Sequence, residues 1–248
     1  MAENSNILSV TGLHSWFGSQ HVLDGVTMHV EAGEIVAILG TSGCGKTTLL
    51  KNIIRLYTPS EGNIRLLGNE MTALEEEDIE PVLRRVGVMY QNGALLNSLT
   101  VGENVELPLE MHTDMSPALR RKIAELKLAQ VGLAGAYEKY PKQLSGGMQK
   151  RAAVARAIVM DPEILFCDEP SAGLDPVTAR GVDRLLLTLN QSLGMTIVVV
   201  THELASIRRI ARRVVYLEKG RVLFEGPLED ALKSEIPQVK EFFSTHPL

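Results

Sequence analysis

A short glycine-rich stretch constrains the fold of this chain more than any other feature. Residues 40–47 read GTSGCGKT and match the pattern G-x-x-x-x-G-K-[ST]. The apolar run EIVAILG leads into the stretch, and TTLLKNIIRLY, with apolar residues at helical spacing, overlaps its end. A strand, a glycine-rich turn and a helix in this order indicate a phosphate-binding loop rather than a chance turn. The sequence therefore predicts a P-loop core of the α/β class.

The match to a phosphate-binding loop predicts a role for each of several residues. Glycines let the backbone wrap around phosphate groups, and free N–H groups at the start of the next helix supply partial positive charge. Lys46 is expected to reach the β- and γ-phosphates of a nucleotide, and the Thr47 hydroxyl to bind Mg²⁺. Cys44 is interpreted as a small residue that fits the loop. The residues expected to contact the nucleotide are Gly40, Ser42, Gly43, Cys44, Gly45, Lys46, Thr47 and Thr48.

A second apolar run ends in two acidic residues. EILFCDEP (163–170) predicts a strand that ends at Asp168 and Glu169. At such a strand end an aspartate holds Mg²⁺, and the following glutamate can act as a general base toward water. Two acids after a strand can also simply begin a loop, but their combination with the phosphate-binding loop favours catalysis. Neither motif alone distinguishes kinases, GTPases and ATPases.

Patterns of apolar residues divide the chain into a sheet-rich core and a helical insertion. Residues 7–36 alternate as strands do, whereas residues 93–160 show helical periods. The runs at 163–170 and 196–202 do not alternate, which suits strands buried on both faces of a parallel sheet. Further predictions are a strand pair at 62–67 and 85–90, a solvated loop or helix start at 75–78, helices near 176–193 and 203–213, and a hairpin at 214–226.

These assignments predict a single domain over residues 1–248. Its parts are a P-loop NTPase (RecA-like) core with an N-terminal antiparallel β-subdomain (1–92 and 161–227), an inserted helical subdomain (93–160) and a C-terminal helical tail (228–248). The tail has enough apolar positions to dock on a surface but too few to form a core.

Charge and cysteine content narrow the function class. Lys and Arg number 25 against 30 Asp and Glu, a net charge of −5, which argues weakly against a nucleic-acid partner. The two cysteines lie in no CxxC or Cys/His spacing, so a reducing compartment fits better than disulfide or zinc chemistry. The N-terminal residues do not resemble a signal peptide, and no apolar run approaches the ~18–20 residues that span a bilayer. We therefore expect a soluble, cytoplasmic chain that would reach a membrane only through a partner.

Another glycine-containing helix start lies between these two motifs. LSGGMQ occupies residues 144–149, and KRAAVARAI, which has the period of a helix, follows it. Ser145 and the amides of Gly146 and Gly147 open this helix, whose N-terminus can bind an anion. The phosphate-binding loop already provides one such helix start. A second helix start would be explained if it caps the γ-phosphate of a nucleotide held by another copy of the chain.

In their order along the chain, these motifs resemble those of the ATPase subunit of an ABC transporter, over nearly the whole length. LSGGMQ resembles the family signature, with Met148 as its departure from the usual form. Gln91 fits the glutamine loop, SAGLD (171–175) the loop that crosses to a partner subunit, and His202 the switch histidine. Singly, Gln91 is a weak signal and His202 could be a structural histidine. LSGGMQ and the Glu169–His202 pair argue against a P-loop kinase.

The resemblance implies ATP and Mg²⁺ as cofactors. Its catalytic residues would be Glu169, His202 and Gln91, and its metal ligands Thr47, Gln91 and Asp168. Phe17, immediately before a glycine, fits the aromatic residue that stacks on adenine, with Trp16 as the alternative. Either ring could instead belong to the core of a strand.

The resemblance also implies partners. Two copies would pack head to tail around two ATP molecules, so that Ser145, Gly146, Gly147 and Asp175 of one copy approach the nucleotide of the other. Hydrolysis removes the phosphate that bridges the two copies, and the motion would pass to integral-membrane permease subunits through the helical subdomain. Residues 92–109 are interpreted as the surface that docks on these subunits.

One longer stretch resembles a particular group within the family. QNGALLNSLTVGENVELPLEMHT (91–113) is similar to Mce/Mla-type lipid-transport ATPases, as are NQSLGMTIVVVTHEL and the tail segment QVKEFF. This resemblance implies a lipid cargo, a place at the cytoplasmic face of the bacterial inner membrane, and a substrate-binding Mce-type subunit as a further partner. The alternative is a generic importer of amino acids, metals or another small solute.

A cluster of four arginines at 208–213 could indicate an anionic partner, either lipid or nucleic acid. The favoured interpretation is a solvated helix face, with Leu204, Ile207 and Ala211 turned inward. We therefore expect no nucleic-acid partner.

Overall fold

The computed structural model describes residues 6–244, which form two β-sheets flanked by helices. The strands are β1 Asn6–Phe17, β2 Gln20–Glu31, β3 Ile35–Leu39, β4 Glu61–Leu66, β5 Asn69–Glu70, β6 Val86–Met89, β7 Ile164–Asp168, β8 Thr196–Val200, β9 Arg213–Glu218 and β10 Arg221–Pro227. The helices are α1 Lys46–Ile53, α2 Glu76–Leu83, α3 Val101–His112, α4 Pro117–Gln130, α5 Gly146–Ala157, α6 Pro176–Leu193, α7 Leu204–Ile210, α8 Leu228–Ala231 and α9 Pro237–Ser244. The predicted α/β core with an antiparallel subdomain and a helical insertion is confirmed.

The larger sheet has six strands in the order β10-β9-β3-β8-β7-β6. All neighbouring strands run parallel except β9 and β10, which form the predicted hairpin. Every residue of β3, β7 and β8 is buried, because the smaller sheet and α1 cover one face and helices cover the other. Parallel strands end at one edge of the sheet, so the segments after β3, β7 and β8 meet there.

The smaller sheet is antiparallel, in the order β2-β1-β4-β5. The strands predicted at 62–67 and 85–90 both exist, but the prediction that they pair is wrong: β4 pairs with β1, whereas β6 lies beside β7 in the larger sheet. The alternation within a short strand does not specify its partner, so the pattern could not separate the two sheets. Helix α2 starts at Glu76, which confirms one of the two interpretations of the acidic segment.

The helical insertion is formed by α3, α4 and α5, which share one apolar cluster with β7 and β8. Thr100 caps α3 and forms a capping box with Glu103. The buried Asn104 side chain bonds to backbone groups of residues 96–100 and fixes the loop before α3. Within residues 6–244, no helix combines the length and the apolar character needed to cross a membrane.

The C-terminal tail folds against its own chain. Val239 and Phe243 of α9 are buried in a cluster with Ile207 of α7 and Tyr216 of β9. This contact agrees with the docking role predicted for the tail. The part of the predicted tail at 245–248 and the predicted domain start at 1–5 lie outside the described residues.

The arginine cluster at 208–213 is only partly a solvated face. Leu204, Ile207 and Ala211 are buried, as predicted. The Arg209 Nε, however, donates to the buried Asp183 carboxylate at 2.7 Å. Arg213 likewise donates to the Glu34 carboxylate at 3.1 Å. For these two arginines the prediction of a solvated face is wrong, because each neutralises a carboxylate contributed by a distant segment.

Candidate active site

The phosphate-binding loop joins β3 to α1 through two glycines that other residues could not replace. A Cβ on Gly40, whose φ is 146°, would lie 2.0 Å from the Leu217 carbonyl oxygen. A Cβ on Gly45, whose φ is 111°, would lie 2.8 Å from a Leu23 methyl. Both glycines adopt backbone conformations that residues with a side chain rarely adopt. The loop therefore lies tightly against β2 and β9 and opens onto the first N–H groups of α1.

A cavity of about 500 Å³, here called the phosphate-binding cavity, opens over this loop. The predicted residues that line it are Gly40, Ser42, Gly43, Lys46, Thr47, Gln91, Asp168, Glu169 and His202. The Lys46 ammonium donates to two carbonyls of its own loop, at 2.8 and 2.9 Å. Thr47, Gln91 and Asp168 all line this cavity. They offer a hydroxyl, an amide and a carboxylate oxygen, a donor set that suits Mg²⁺.

Three predicted loop residues do not line the cavity: Cys44, Gly45 and Thr48. Cys44 is buried, and its carbonyl accepts a hydrogen bond from the Gly220 N–H at 3.0 Å. Burial raises the pKa of the Cys44 thiol. These contacts agree with a small residue that fills the loop, and Gly45 provides the start of α1.

Glu169 is buried, and its side chain is held by the two residues that follow β8. Its carboxylate accepts a hydrogen bond from the Thr201 hydroxyl at 3.1 Å and lies 2.6 Å from His202 Nδ1. Its φ of 49° falls in the left-handed region, where a residue of this kind carries about 1–3 kcal/mol of strain. Such strain is concentrated at functional sites, because surrounding contacts must maintain it. Here the contacts with Thr201 and His202 hold the Glu169 carboxylate in the cavity.

Asp168 has an unusual electrostatic setting. Burial raises its pKa above the ordinary value, and the adjacent Glu169 carboxylate raises it further. The positive charges of Lys46 and Lys150 lower the pKa of Asp168 and so oppose this effect. Two carboxylates at one cavity wall favour a cation beside them, since a cation would relieve their repulsion.

Lys150 is a functional candidate that the sequence analysis missed. This buried residue of α5 donates from Nζ to the Gln91 carbonyl and, at 3.0 Å, to the Glu169 carbonyl. Two turns later, Arg156 donates to the carbonyls of Gly93 and Ala94, both at 2.7 Å. Helix α5 thus holds the glutamine loop next to the acidic pair. No local signal marks these residues, because their partners are distant in sequence.

The signature segment lies outside the phosphate-binding cavity of its own chain. Ser145 is the N-cap of α5, and its hydroxyl accepts from the Met148 N–H at 3.4 Å. Gly146 lines a separate cleft of about 450 Å³, which shares Gln91 with the first cavity. A Cβ on Gly147 would lie 2.2 Å from the Thr178 methyl group. The second glycine is therefore required by packing against α6, a reason that the sequence did not reveal.

Asp175 also lies outside the cavity. It caps α6, and its carboxylate accepts from the N–H groups of Val177 and Thr178 at 3.0 and 3.1 Å. Hydrogen bonds from Thr178 are the main cause of a pKa below the ordinary value for this carboxyl.

The two candidate adenine-stacking rings have different surroundings. The Phe17 ring meets Tyr57 edge-on at 5.2 Å, and Tyr57 lies against the C-terminal end of α1. The Trp16 ring stacks on the His21 ring at 3.9 Å, with 4° between the planes. Neither ring lines the phosphate-binding cavity. Both are exposed, so neither belongs to the core of a strand.

The tail contributes one residue that the sequence analysis did not connect with the site. Phe242 of α9 lines the phosphate-binding cavity beside His202 and Leu204. Its ring meets Tyr216 edge-on at 5.4 Å. No local pattern in the tail marks this position.

Comparisons with known proteins agree with this geometry. The family described as "ABC transporter" matches residues 23–172. The dimeric MJ0796 cassette, solved in a post-hydrolysis state with ADP and Pi, is 34% identical with a TM-score of 0.81, covering 89% of this chain and 98% of that one.

Two curated relatives match most of this chain. The probable ribonucleotide transport ATP-binding protein mkl of Mycobacterium tuberculosis is 37% identical over 96% of the chain. The methionine import ATP-binding protein MetN of Brucella abortus is 40% identical over 92% of it. The chain spans 66% and 61% of the length of these relatives. It therefore belongs to the ABC transporter family.

Proposed function

We propose that this chain is the ATPase subunit of a transporter that moves phospholipid or another lipid between bacterial membranes. The observation that carries this proposal is that the functional residues are divided between two openings. The phosphate-binding loop, the acidic pair and His202 share one cavity, whereas the signature helix start opens a separate cleft. A second copy turned head to tail would place its Ser145 helix start over this cavity. The dimeric state of the related MJ0796 cassette supports this arrangement.

In this proposal the residues of the cavity divide the work of hydrolysis. Lys46 and the N–H groups at the start of α1 bind the phosphates and stabilise negative charge in the transition state. The Glu169 carboxylate takes a proton from the attacking water, and His202, 2.6 Å away, orients that carboxylate. Mg²⁺, held by Thr47, Gln91 and Asp168, would neutralise phosphate charge.

We assign the adenine-stacking role to Phe17 rather than Trp16. Phe17 contacts Tyr57 beside α1, the helix whose N-terminus carries the phosphate-binding loop. Trp16 already stacks on His21, which lies opposite it on the β1–β2 hairpin. An adenine ring would therefore meet Phe17 without displacing an existing stack.

A groove of about 570 Å³ offers a docking surface for a membrane subunit. Its apolar lining comes from α2, α3 and the neighbouring strand, and includes Ile79, Leu83, Leu107, Pro108 and Met111. The Met111 side chain is 67% exposed, although it lies in an apolar setting. An amphipathic helix of a permease could place its apolar face in such a groove. The chain would then be peripheral, at the cytoplasmic face of the inner membrane.

The lipid cargo is supported by the segment 91–113, which contributes Leu107, Pro108 and Met111 to the groove. This segment resembles lipid-transport ATPases, in which a substrate-binding Mce-type subunit would complete the assembly. Import of a small solute is the alternative. The similarity to MetN, named for methionine import, favours that alternative.

Purification of the chain from membranes of its native host tests the proposal. We expect an integral-membrane permease and phospholipid to co-purify, identified by mass spectrometry of the isolated complex. Met111→Asp should reduce recovery of the permease, because a charge in the groove opposes burial of an apolar helix. Leu126→Asp is the matched control, since Leu126 is equally exposed on α4 outside the groove.

Two results would contradict the proposal at different levels. A complex that contains a permease but an amino-acid- or metal-binding subunit, with no bound lipid, would replace the lipid cargo by a small solute. Recovery of the chain without any integral-membrane protein would reject the role in transport.

A further inference from the structure

Three potential metal ligands converge on the exposed face of the β1–β2 hairpin. His14 Nδ1 lies 3.0 Å from His21 Nε2 and 3.7 Å from Asp24 Oδ1. His21 Nδ1 lies 3.9 Å from the same carboxylate oxygen. Throughout residues 6–244, this is the one group of three or more His, Cys, Asp or Glu side chains with ligand atoms within 4.8 Å of one another.

The neighbours of this cluster hold the three ligands in place. Arg221 binds Asp24 through the other carboxylate oxygen, Oδ2, at 2.6 and 2.5 Å, and leaves Oδ1 facing the histidines. The Trp16 ring stacks on the His21 ring, and the planes of His14 and His21 differ by only 16°. The His14 and His21 rings are therefore nearly parallel, with His14 Nδ1 and His21 Nε2 3.0 Å apart. Such supporting contacts are typical of ligands oriented for a metal.

We propose that His14, His21 and Asp24 bind one transition-metal ion of the Zn²⁺ class. Two imidazole nitrogens and one carboxylate oxygen are a common donor set for Zn²⁺, with water as a fourth ligand. Zn–ligand bonds of about 2.0–2.2 Å place tetrahedral ligands about 3.3 Å apart. One ligand atom of each residue lies within 4.8 Å of the other two, so a small inward movement of the side chains would bring all three to one ion. This ion is distinct from Mg²⁺ in the phosphate-binding cavity, which is lined by other residues.

Without a metal, the two rings can form one N–H···N hydrogen bond, but neither ring is within hydrogen-bond distance of Asp24 Oδ1. Two neutral imidazoles can share only one proton across the 3.0 Å between their nitrogens. Asp24 Oδ1 lies 3.7 Å from His14 Nδ1 and 3.9 Å from His21 Nδ1, too far for a hydrogen bond. A cation between the three groups would satisfy both lone pairs and the carboxylate oxygen together.

The site is connected to the phosphate-binding loop through the backbone. The Asp24 N–H donates to the Gly220 carbonyl at 2.8 Å, and the Gly220 N–H donates to the Cys44 carbonyl at 3.0 Å. A metal on Asp24 would therefore tie β1, β2 and the β9–β10 turn together beside the loop.

Trp16 provides a direct probe, because it is the only tryptophan of the chain and stacks on His21. Tag-free protein is titrated with Co²⁺ in excess Mg²⁺, and Trp16 fluorescence and cobalt absorption are recorded together. We expect one equivalent of Co²⁺ to quench the fluorescence and to give a d–d band of low coordination number. Addition of Zn²⁺ should displace the cobalt and restore the fluorescence.

Variants assign the signal to the three residues. His14→Ala, His21→Asn and Asp24→Asn should each weaken Co²⁺ binding by about tenfold or more. His112→Gln is the control, because His112 is a partly exposed histidine that also lies beside a carboxylate, that of Glu80. Asp24→Asn preserves side-chain shape, and its metal-free circular dichroism and unfolding midpoint report whether the hairpin still folds.

Absence of saturable quenching in the wild-type protein would overturn the proposal. So would wild-type affinity in His14→Ala or His21→Asn, or a failure of Zn²⁺ to compete with Co²⁺. Each of these results would leave the proposed ATPase function untouched, because the phosphate-binding cavity uses none of the three residues.

Discussion

A single ammonium group joins three motifs of the active site. Lys150 belongs to the helix that the signature starts, and it donates to the backbone carbonyls of Gln91 and Glu169, the proposed general base. Burial lowers its pKa, and attraction to Glu169 and Asp168 opposes that effect. A buried cation with two carbonyl partners fixes the relative positions of the segments that carry them. Lys150 is therefore a positioning residue for Gln91 and Glu169.

Lys150→Met tests this role with a side chain of similar length. The variant loses two charge-assisted hydrogen bonds. If only one of them, about 1.5–3 kcal/mol, acts in the transition state, kcat should fall by at least about ten- to hundredfold. The KM for ATP should change little, because Lys150 does not line the phosphate-binding cavity. Steady-state ATPase kinetics measure both constants.

Two further variants separate positioning from stability. Lys150→Arg keeps a donor and should recover part of kcat, whereas Lys142→Met removes an exposed lysine of the same region and should have no effect. An increase in KM at unchanged kcat would show that Lys150 supports nucleotide binding instead.

At the scale of elements, the start of α5 serves two purposes. Ser145 caps the helix, while Gly147 allows the α5 backbone to touch Thr178 on α6. From the sequence, both glycines were explained by an anion at the start of the helix, but the space beside Gly147 is filled by the Thr178 methyl group. Gly146 has more room, since a Cβ there would lie 3.3 Å from the flexible end of Leu174.

Gly147→Ala should therefore destabilise the protein by about 1–3 kcal/mol through overpacking. Thr178→Ser removes the obstructing methyl group and should restore most of the lost stability in the double variant. Gly146→Ala is the control and should be close to neutral. Urea unfolding midpoints measure all three effects; a double variant as unstable as Gly147→Ala would exclude the Thr178 contact as the cause.

Elements with strong local patterns could be predicted from the sequence, and contacts between them could not. Fully apolar runs identified β3, β7 and β8, and the turn at Lys219-Gly220 identified the β9–β10 hairpin. The pairing of β4 and β6 was wrong, because alternation carries no information about the partner strand. Lys150 and Phe242 were missed for a related reason: their positions in the site depend on packing of segments far apart in sequence.

At the scale of the whole molecule, we propose that one chain contributes two half-sites to a dimer. The motif order allowed this to be predicted, since a second helix N-terminus has no phosphate to bind within its own cavity. The structure places the two half-sites in separate openings that share Gln91. Gln91 also precedes the segment that leads to α3 and the groove.

A dimerisation experiment tests the completion of each site by a second copy. Glu169→Gln should bind ATP, lose most turnover and accumulate an ATP-dependent dimer in size-exclusion chromatography with light scattering. In this background, Ser145→Arg should abolish the dimer but leave ATP binding intact, because arginine would obstruct the helix start that meets the γ-phosphate. Ser116→Arg removes the same type of N-cap from α4, so it shows how much a lost cap matters by itself. If Ser145→Arg still dimerised with ATP, or Ser116→Arg failed equally, the signature helix would not complete the partner's site. Normal turnover in Glu169→Gln would exclude Glu169 as the general base.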